Sequence, residues 1–122
     1  MNPILLLAVS DDNSSYLLRR YAEQCGLTIL RAHSLAHTVT LAREFHPAVI
    51  ILDYGATGMQ GGKLLHHLKS NAETQDIPVV LYAWLVEANQ RAADRVDGIL
   101  HHPILYDDFH LTMERLGVLT RE

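Results

Sequence analysis

Cysteine, basic charge and long apolar runs are all scarce in this chain of 122 residues. Its single cysteine, Cys25, leaves no internal disulfide and no Cys-x-x-Cys pair, which excludes a disulfide scaffold and a cysteine zinc site. Lys and Arg number 10 against 14 Asp and Glu, so this segment lacks the basic surface that nucleic-acid binding requires. The first apolar run, residues 4–9, is too short to cross a bilayer and has no basic lead-in. We therefore expect a cytoplasmic domain that does not enter a membrane.

The composition that remains is typical of a globular domain. Hydrophobic residues make up 48% of the chain and charged residues 20%, which excludes disorder, collagen and a coiled coil. No linker, repeat or low-complexity segment interrupts the chain, so we expect one domain over residues 1–122. The sequence stops just after its last helical pattern, so the domain could also be a fragment of a longer protein.

Short apolar runs alternate with stretches of helical period. Runs without polar alternation are typical of strands buried on both faces, and they cover residues 4–9, 48–52, 78–82 and 99–100. The more polar run 28–32 suits an edge strand. Helical spacing indicates five helices. One begins at the cap Ser34 and ends before Pro47, and the other four cover residues 14–26, 61–71, 87–96 and 107–116. Asp107 or Asp108 is expected to cap the last of them. This alternation predicts an α/β fold with three layers, a doubly wound parallel sheet between helices.

Acidic residues follow two of the predicted strands. Asp11 and Asp12 come after the first strand, and the central run leads into Asp53. Ligands of an open parallel sheet bind beyond the carboxyl ends of its strands, and converging carboxylates repel one another unless a cation lies between them. Mg²⁺ suits such a site, and a carboxylate beside it can accept a phosphoryl group. The alternative is that Asp11 and Asp12 cap the first helix.

Three segments, in order and at matching intervals, resemble the receiver domains of two-component response regulators. They are Val49-Ile-Ile-Leu-Asp53 with Gly58-Met59-Gln60-Gly61, then Asp76-Ile-Pro-Val-Val-Leu-Tyr82, and Val96-Asp-Gly-Ile-Leu-His-His-Pro103. The resemblance covers nearly the whole chain and implies a flavodoxin-like sheet of order 2-1-3-4-5 with five helices. It implies that Asp53 is the phosphoacceptor, served by a histidine kinase or a phosphotransfer protein. It also implies that Asp11 or Asp12 holds Mg²⁺ together with Asp53 and the backbone carbonyl of Gly55.

Several positions depart from the pattern of that family. Ala83 stands where the family has a Ser or Thr whose hydroxyl binds the phosphoryl group, and His102 replaces the lysine before Pro103. Ile99 replaces the aromatic switch residue, and Trp84 either narrows the pocket or covers the end of the sheet. The acid pair departs as well, because counting back from the end of the first helix without gaps puts two non-acidic residues in its place. A shift of two residues would bring the acids into register.

These departures leave three hypotheses. The first, which the sequence favours, is a receiver that takes phosphate on Asp53 and signals through an altered switch. The second is a pseudo-receiver that binds an output domain or a second copy through the face of helix four, strand five and helix five, here residues 87–113, without phosphorylation. The third is an enzyme that uses the pocket at the carboxyl ends of the strands. The residues expected at that pocket include no pair of a nucleophile and a base. We therefore expect a domain without enzymatic activity.

Overall fold

The computed structural model of this chain describes residues 2–9, 11–53, 61–83, 96–101 and 103–119. Along the chain the elements are β1 (Ile4–Ala8), α1 (Asp12–Gln24), β2 (Thr28–Arg31), α2 (Leu35–Phe45), β3 (Val49–Asp53), α3 (Gly61–Ser70), β4 (Val79–Ala83), β5 (Gly98–His101) and α4 (Tyr106–Arg115). The helix predicted over residues 87–96 lies outside the described residues, except for Val96 in a bend before β5. In the described part of the chain, no helix has the length and apolar character needed to cross a membrane.

The strands form one parallel sheet of order β2-β1-β3-β4-β5. This order confirms the predicted fold class. It also confirms the edge position of β2, whose side chains are half-buried or exposed. The neighbouring strand β1 and the central strand β3 are almost entirely buried, which agrees with their unbroken apolar runs. The end of β3 therefore lies in the middle of the carboxyl edge of the sheet.

Alternate residues of each strand pack against helices on opposite sides of the sheet. One core contains Leu7 and Ile51 and is closed by Leu18 of α1 and Phe109 of α4. We call this side the α1/α4 face. The other core joins residues of the same strands to α2 and α3: Leu6, Ile50, Ala42, Leu64 and Leu65. Each fully buried aliphatic side chain contributes about 1.5–3 kcal/mol, so the two cores hold the three layers together.

The predicted cap of α2 agrees with the structure, and the predicted cap of the last helix does not. Ser34 caps α2, and its Oγ accepts a hydrogen bond from the backbone N–H of His37. The prediction that Asp107 or Asp108 caps the last helix is wrong, because the cap is the extended residue Leu105, without a side-chain hydrogen bond. Both aspartates lie inside the first turn of α4, where they complement the positive end of the helix dipole.

Candidate functional site

Asp53 is the last residue of β3 and is half-buried at the carboxyl edge of the sheet. Its Cα partner on one side is Tyr82 of β4. On the other side Leu52 is paired with Ala8, so continuing the register by one residue places Val9 beside Asp53. Val9 is fully buried and Tyr82 is 5% exposed. The neighbours of Asp53 in the adjacent strands are therefore an apolar residue and a phenol rather than carboxylates.

Asp11 is the N-cap of α1. Its Oδ2 atom accepts a hydrogen bond of 2.8 Å from the backbone N–H of Ser14, and its carbonyl oxygen accepts one of 2.9 Å from Ser15. A carboxylate at this position satisfies a free N–H of the first turn and interacts favourably with the helix dipole. Of the alternatives left open by the sequence, Asp11 thus fills the capping role.

Asp12 has a different partner. Its Oδ1 atom lies 2.8 Å from Nη2 of Arg31, and its side chain is 89% exposed. Arg31 belongs to β2, and β1 lies between β2 and β3. The carboxylate of Asp12 is therefore paired with a guanidinium of the edge strand, and Nη2 of this guanidinium also lies 3.5 Å from the carbonyl oxygen of Val9 at the end of β1.

In these placements Asp11 and Asp12 each have a partner within the chain, and Gly55 of the Mg²⁺ site implied by the resemblance lies outside the described residues. Among the described residues there is no group of three or more His, Cys, Asp or Glu side chains that could hold a metal ion. Mg²⁺ is bound in proteins through one or two carboxylates and several waters, and a Mg²⁺ ion that recruited Asp12 would compete with Arg31 for it.

A buried hydrogen bond joins the start of α1 to β4. The Oγ atom of Ser14 and the hydroxyl oxygen of Tyr82 are 2.7 Å apart, and these residues are 7% and 5% exposed. This contact was not expected from the sequence, because its partners are 68 positions apart along the chain. A tyrosine inside an otherwise aliphatic strand was the only signal that could have pointed to it.

The remaining predicted site residues are only partly described. Ala83 ends β4 directly after Tyr82, Ile99 is half-buried in β5, and Pro103 is exposed beyond the end of that strand. Three others lie outside the described residues: Gly55, Trp84 and His102. The structure thus brings Ala83 to the same edge of the sheet as Asp53.

Comparison with known proteins finds response regulators and their receiver domains. No protein-family model matches the chain. The chain is 29% identical over 94 residues to protein PilH of Pseudomonas aeruginosa, covering 77% of this chain and 74% of PilH. It is 28% identical over 80 residues to the polar-differentiation response regulator DivK of Brucella ovis, covering 66% of this chain and 65% of DivK. A longer curated relative is the phosphate regulon transcriptional regulatory protein PhoB of Escherichia coli, and the match spans 32% of that protein.

Solved structures share the architecture. A response regulator receiver domain (CheY-like) from Methylobacillus flagellatus superposes with a TM-score of 0.85, covering 95% of this chain and 99% of that one. The two sequences are 12% identical, so this likeness shows the fold alone.

Proposed function

We propose that this chain, which belongs to the receiver domains of response regulators, is an interaction module of phosphorelay signalling that works without Mg²⁺-dependent phosphorylation of Asp53. The observation that carries the proposal is the ion pair of 2.8 Å between Asp12 and Arg31. A cation at the end of β3 would have to compete with this guanidinium for the carboxylate. This is the second of the hypotheses that the sequence left open.

The chemistry of phosphoryl transfer supports this choice. A phosphoryl group carries negative charge through its transition state, and catalysis of its transfer is mostly electrostatic stabilisation by cations and hydrogen-bond donors. At the positions of Ala83 and His102, the family has a Ser or Thr hydroxyl and a lysine that stabilise the phosphoryl group. A methyl group donates no hydrogen bond, and histidine is not a fixed cation at pH 7. Asp53 therefore lacks these usual supports in addition to the acid pair.

A second candidate function is phosphorylation of Asp53 with signalling through an altered switch. The position of Asp53 favours it, because the phosphoacceptor of this family ends the central strand, as Asp53 ends β3. In this case the partner is a histidine kinase or a phosphotransfer protein. Mg²⁺ would be held by Asp53 with Asp11 or Asp12 after a rearrangement of the β1–α1 connection.

The interaction surface that we propose includes β5 and α4. Leu105 and Leu111 are 61% and 42% exposed there, and Asp108 and Arg115 are exposed on the same helix. Such a surface could bind an output domain or a second copy of the chain. The absence of enzymatic activity and a cytoplasmic location stay predictions.

The proposal is tested by incubating the chain with acetyl phosphate and Mg²⁺ and measuring its intact mass. We expect no added phosphoryl mass. The positive control for the reagent is another receiver domain that has the acid pair, the Ser or Thr hydroxyl and the lysine typical of the family. The Asp53→Asn variant is the matched negative control. One added phosphoryl group that disappears in Asp53→Asn would overturn the proposal and establish the second candidate.

A further inference from the structure

The hydroxyls of Ser14 and Tyr82 form a contact between two elements that are not neighbours in the sheet. Ser14 lies in the first turn of α1, which follows β1, and Tyr82 belongs to β4. In the sheet, β3 separates β1 from β4. The hydrogen bond of 2.7 Å between the two side chains therefore spans the end of β3.

This contact lies on the same face of the sheet as Asp53. Tyr82 packs in the core of the α1/α4 face together with Ile51 and Leu18. Side chains alternate along a strand, so Asp53, two positions after Ile51, is on this face as well. Tyr82 is also the Cα partner of Asp53. The backbone pairing of β3 with β4 thus connects the end of the Asp53 strand directly to Tyr82.

Ser14 extends the connection to the acidic segment. Its backbone N–H donates to Oδ2 of Asp11, while its Oγ is bonded to Tyr82. One residue thus holds both the cap of α1 and the link to β4. A shift of Tyr82 would disturb the capped first turn and, next to it, Asp12 with its ion pair to Arg31.

We propose that the Ser14–Tyr82 hydrogen bond is a latch that fastens the start of α1 across the end of β3 and keeps Asp11 and Asp12 in the observed arrangement. Release of the latch frees the first turn of α1, so a change at the carboxyl edge of β3 and β4 is transmitted to α1. The inference extends the proposed function, on which it rests, because it names the contact that fixes the capped first turn of α1 at the end of β3.

Hydrogen exchange of the backbone amides tests the latch with the variants Tyr82→Phe and Ser14→Ala. Each removes one hydroxyl and keeps the backbone. We expect exchange at residues 14–18 to become faster by between about twofold and about tenfold, as for the loss of one buried hydrogen bond. The double variant should exchange no faster there than the single variants, since both remove the same bond. The amides of α3 should keep their rates.

Tyr21→Phe is the matched control. Tyr21 also ties α1 to another part of the chain, because its hydroxyl donates a hydrogen bond of 2.9 Å to the carbonyl oxygen of Ile104. This variant should leave residues 14–18 unchanged. Unchanged exchange at residues 14–18 in Tyr82→Phe, or equal acceleration in every element, would overturn the latch. The experiment contains neither Mg²⁺ nor a phosphoryl donor, so its result does not depend on whether Asp53 reacts.

Discussion

Asp12 and Arg31 are joined by an ion pair of 2.8 Å between Oδ1 and Nη2. Nη2 of Arg31 also lies 3.5 Å from the carbonyl oxygen of Val9, so the guanidinium contacts both the carboxylate and the end of β1. The charge of Asp12 is thereby neutralised within the chain. A cation at the end of β3 would have to compete with this internal partner for the carboxylate.

Asp12→Asn should have a small effect on stability. The Asp12 side chain is largely exposed, and exposed ion pairs contribute up to about 1 kcal/mol to the free energy of unfolding. Urea unfolding should show a loss below that value. Glu73→Gln, which weakens the exposed pair with Arg43, provides a matched control of the same kind. A loss of several kcal/mol in Asp12→Asn alone would show that this carboxylate has a structural role beyond its pair with Arg31.

Asp11→Ala should destabilise the chain by about 1 kcal/mol, because the N-cap of α1 is lost. Asp11→Asn should be close to neutral, since asparagine caps helices about as well as aspartate. Urea unfolding of both variants measures the difference. Equal losses in the two would mean that the charge of Asp11, rather than its capping hydrogen bond, stabilises the fold.

The pair of Arg43 and Glu73 should give the stability a pH dependence on the acid side. Hydrogen bonds of 2.9 and 3.3 Å from Arg43, followed by its charge, lower the pKa of Glu73 from its ordinary value of 4.5. The folded state thus binds this proton less tightly than the unfolded state. The stabilisation is present above pH 4.5 and is lost as the pH falls through the lowered pKa. Urea unfolding between pH 3 and 7 should show a flatter curve for Glu73→Gln; parallel curves would contradict the assignment.

Restoring two of the departures should not restore phosphorylation. The double variant Ala83→Thr/His102→Lys would supply the hydroxyl and the lysine that the family has at these positions, but it leaves Asp12 with Arg31. We expect no phosphoryl mass after incubation with acetyl phosphate and Mg²⁺, because charge neutralisation by the metal is still missing. Stoichiometric labelling of this variant would show that the acid pair is not what limits the reaction.

Much of the fold is encoded in local patterns. The buried runs that became β1, β3 and β4 have no polar alternation, and the more polar β2 lies at the edge as expected. The start of α4 escaped prediction because it depends on tertiary packing. The helix begins at Tyr106, ahead of the aspartates that resemble caps, and the ring of Tyr106 lies 5.4 Å from that of Tyr21 in α1.

The candidate site could be predicted only in part. The place of Asp53 at the end of β3 follows from the apolar run that precedes it. The partners of the other residues come from distant parts of the chain: Arg31 is 19 positions from Asp12, and Ser14 is 68 positions from Tyr82. No local spacing encodes such pairs, since they depend on how α1 and β2 pack against the sheet.

The central claim is that Asp11 and Asp12 do not share a cation with Asp53. Titration of the ¹⁵N-labelled chain with MgCl₂, followed by the amide resonances of the β1–α1 connection and of Asp53, tests it most directly. We expect no saturable shifts confined to these residues, and the same response in Asp53→Asn. Saturable shifts at Asp11, Asp12 and Asp53 that Asp53→Asn abolishes would contradict it.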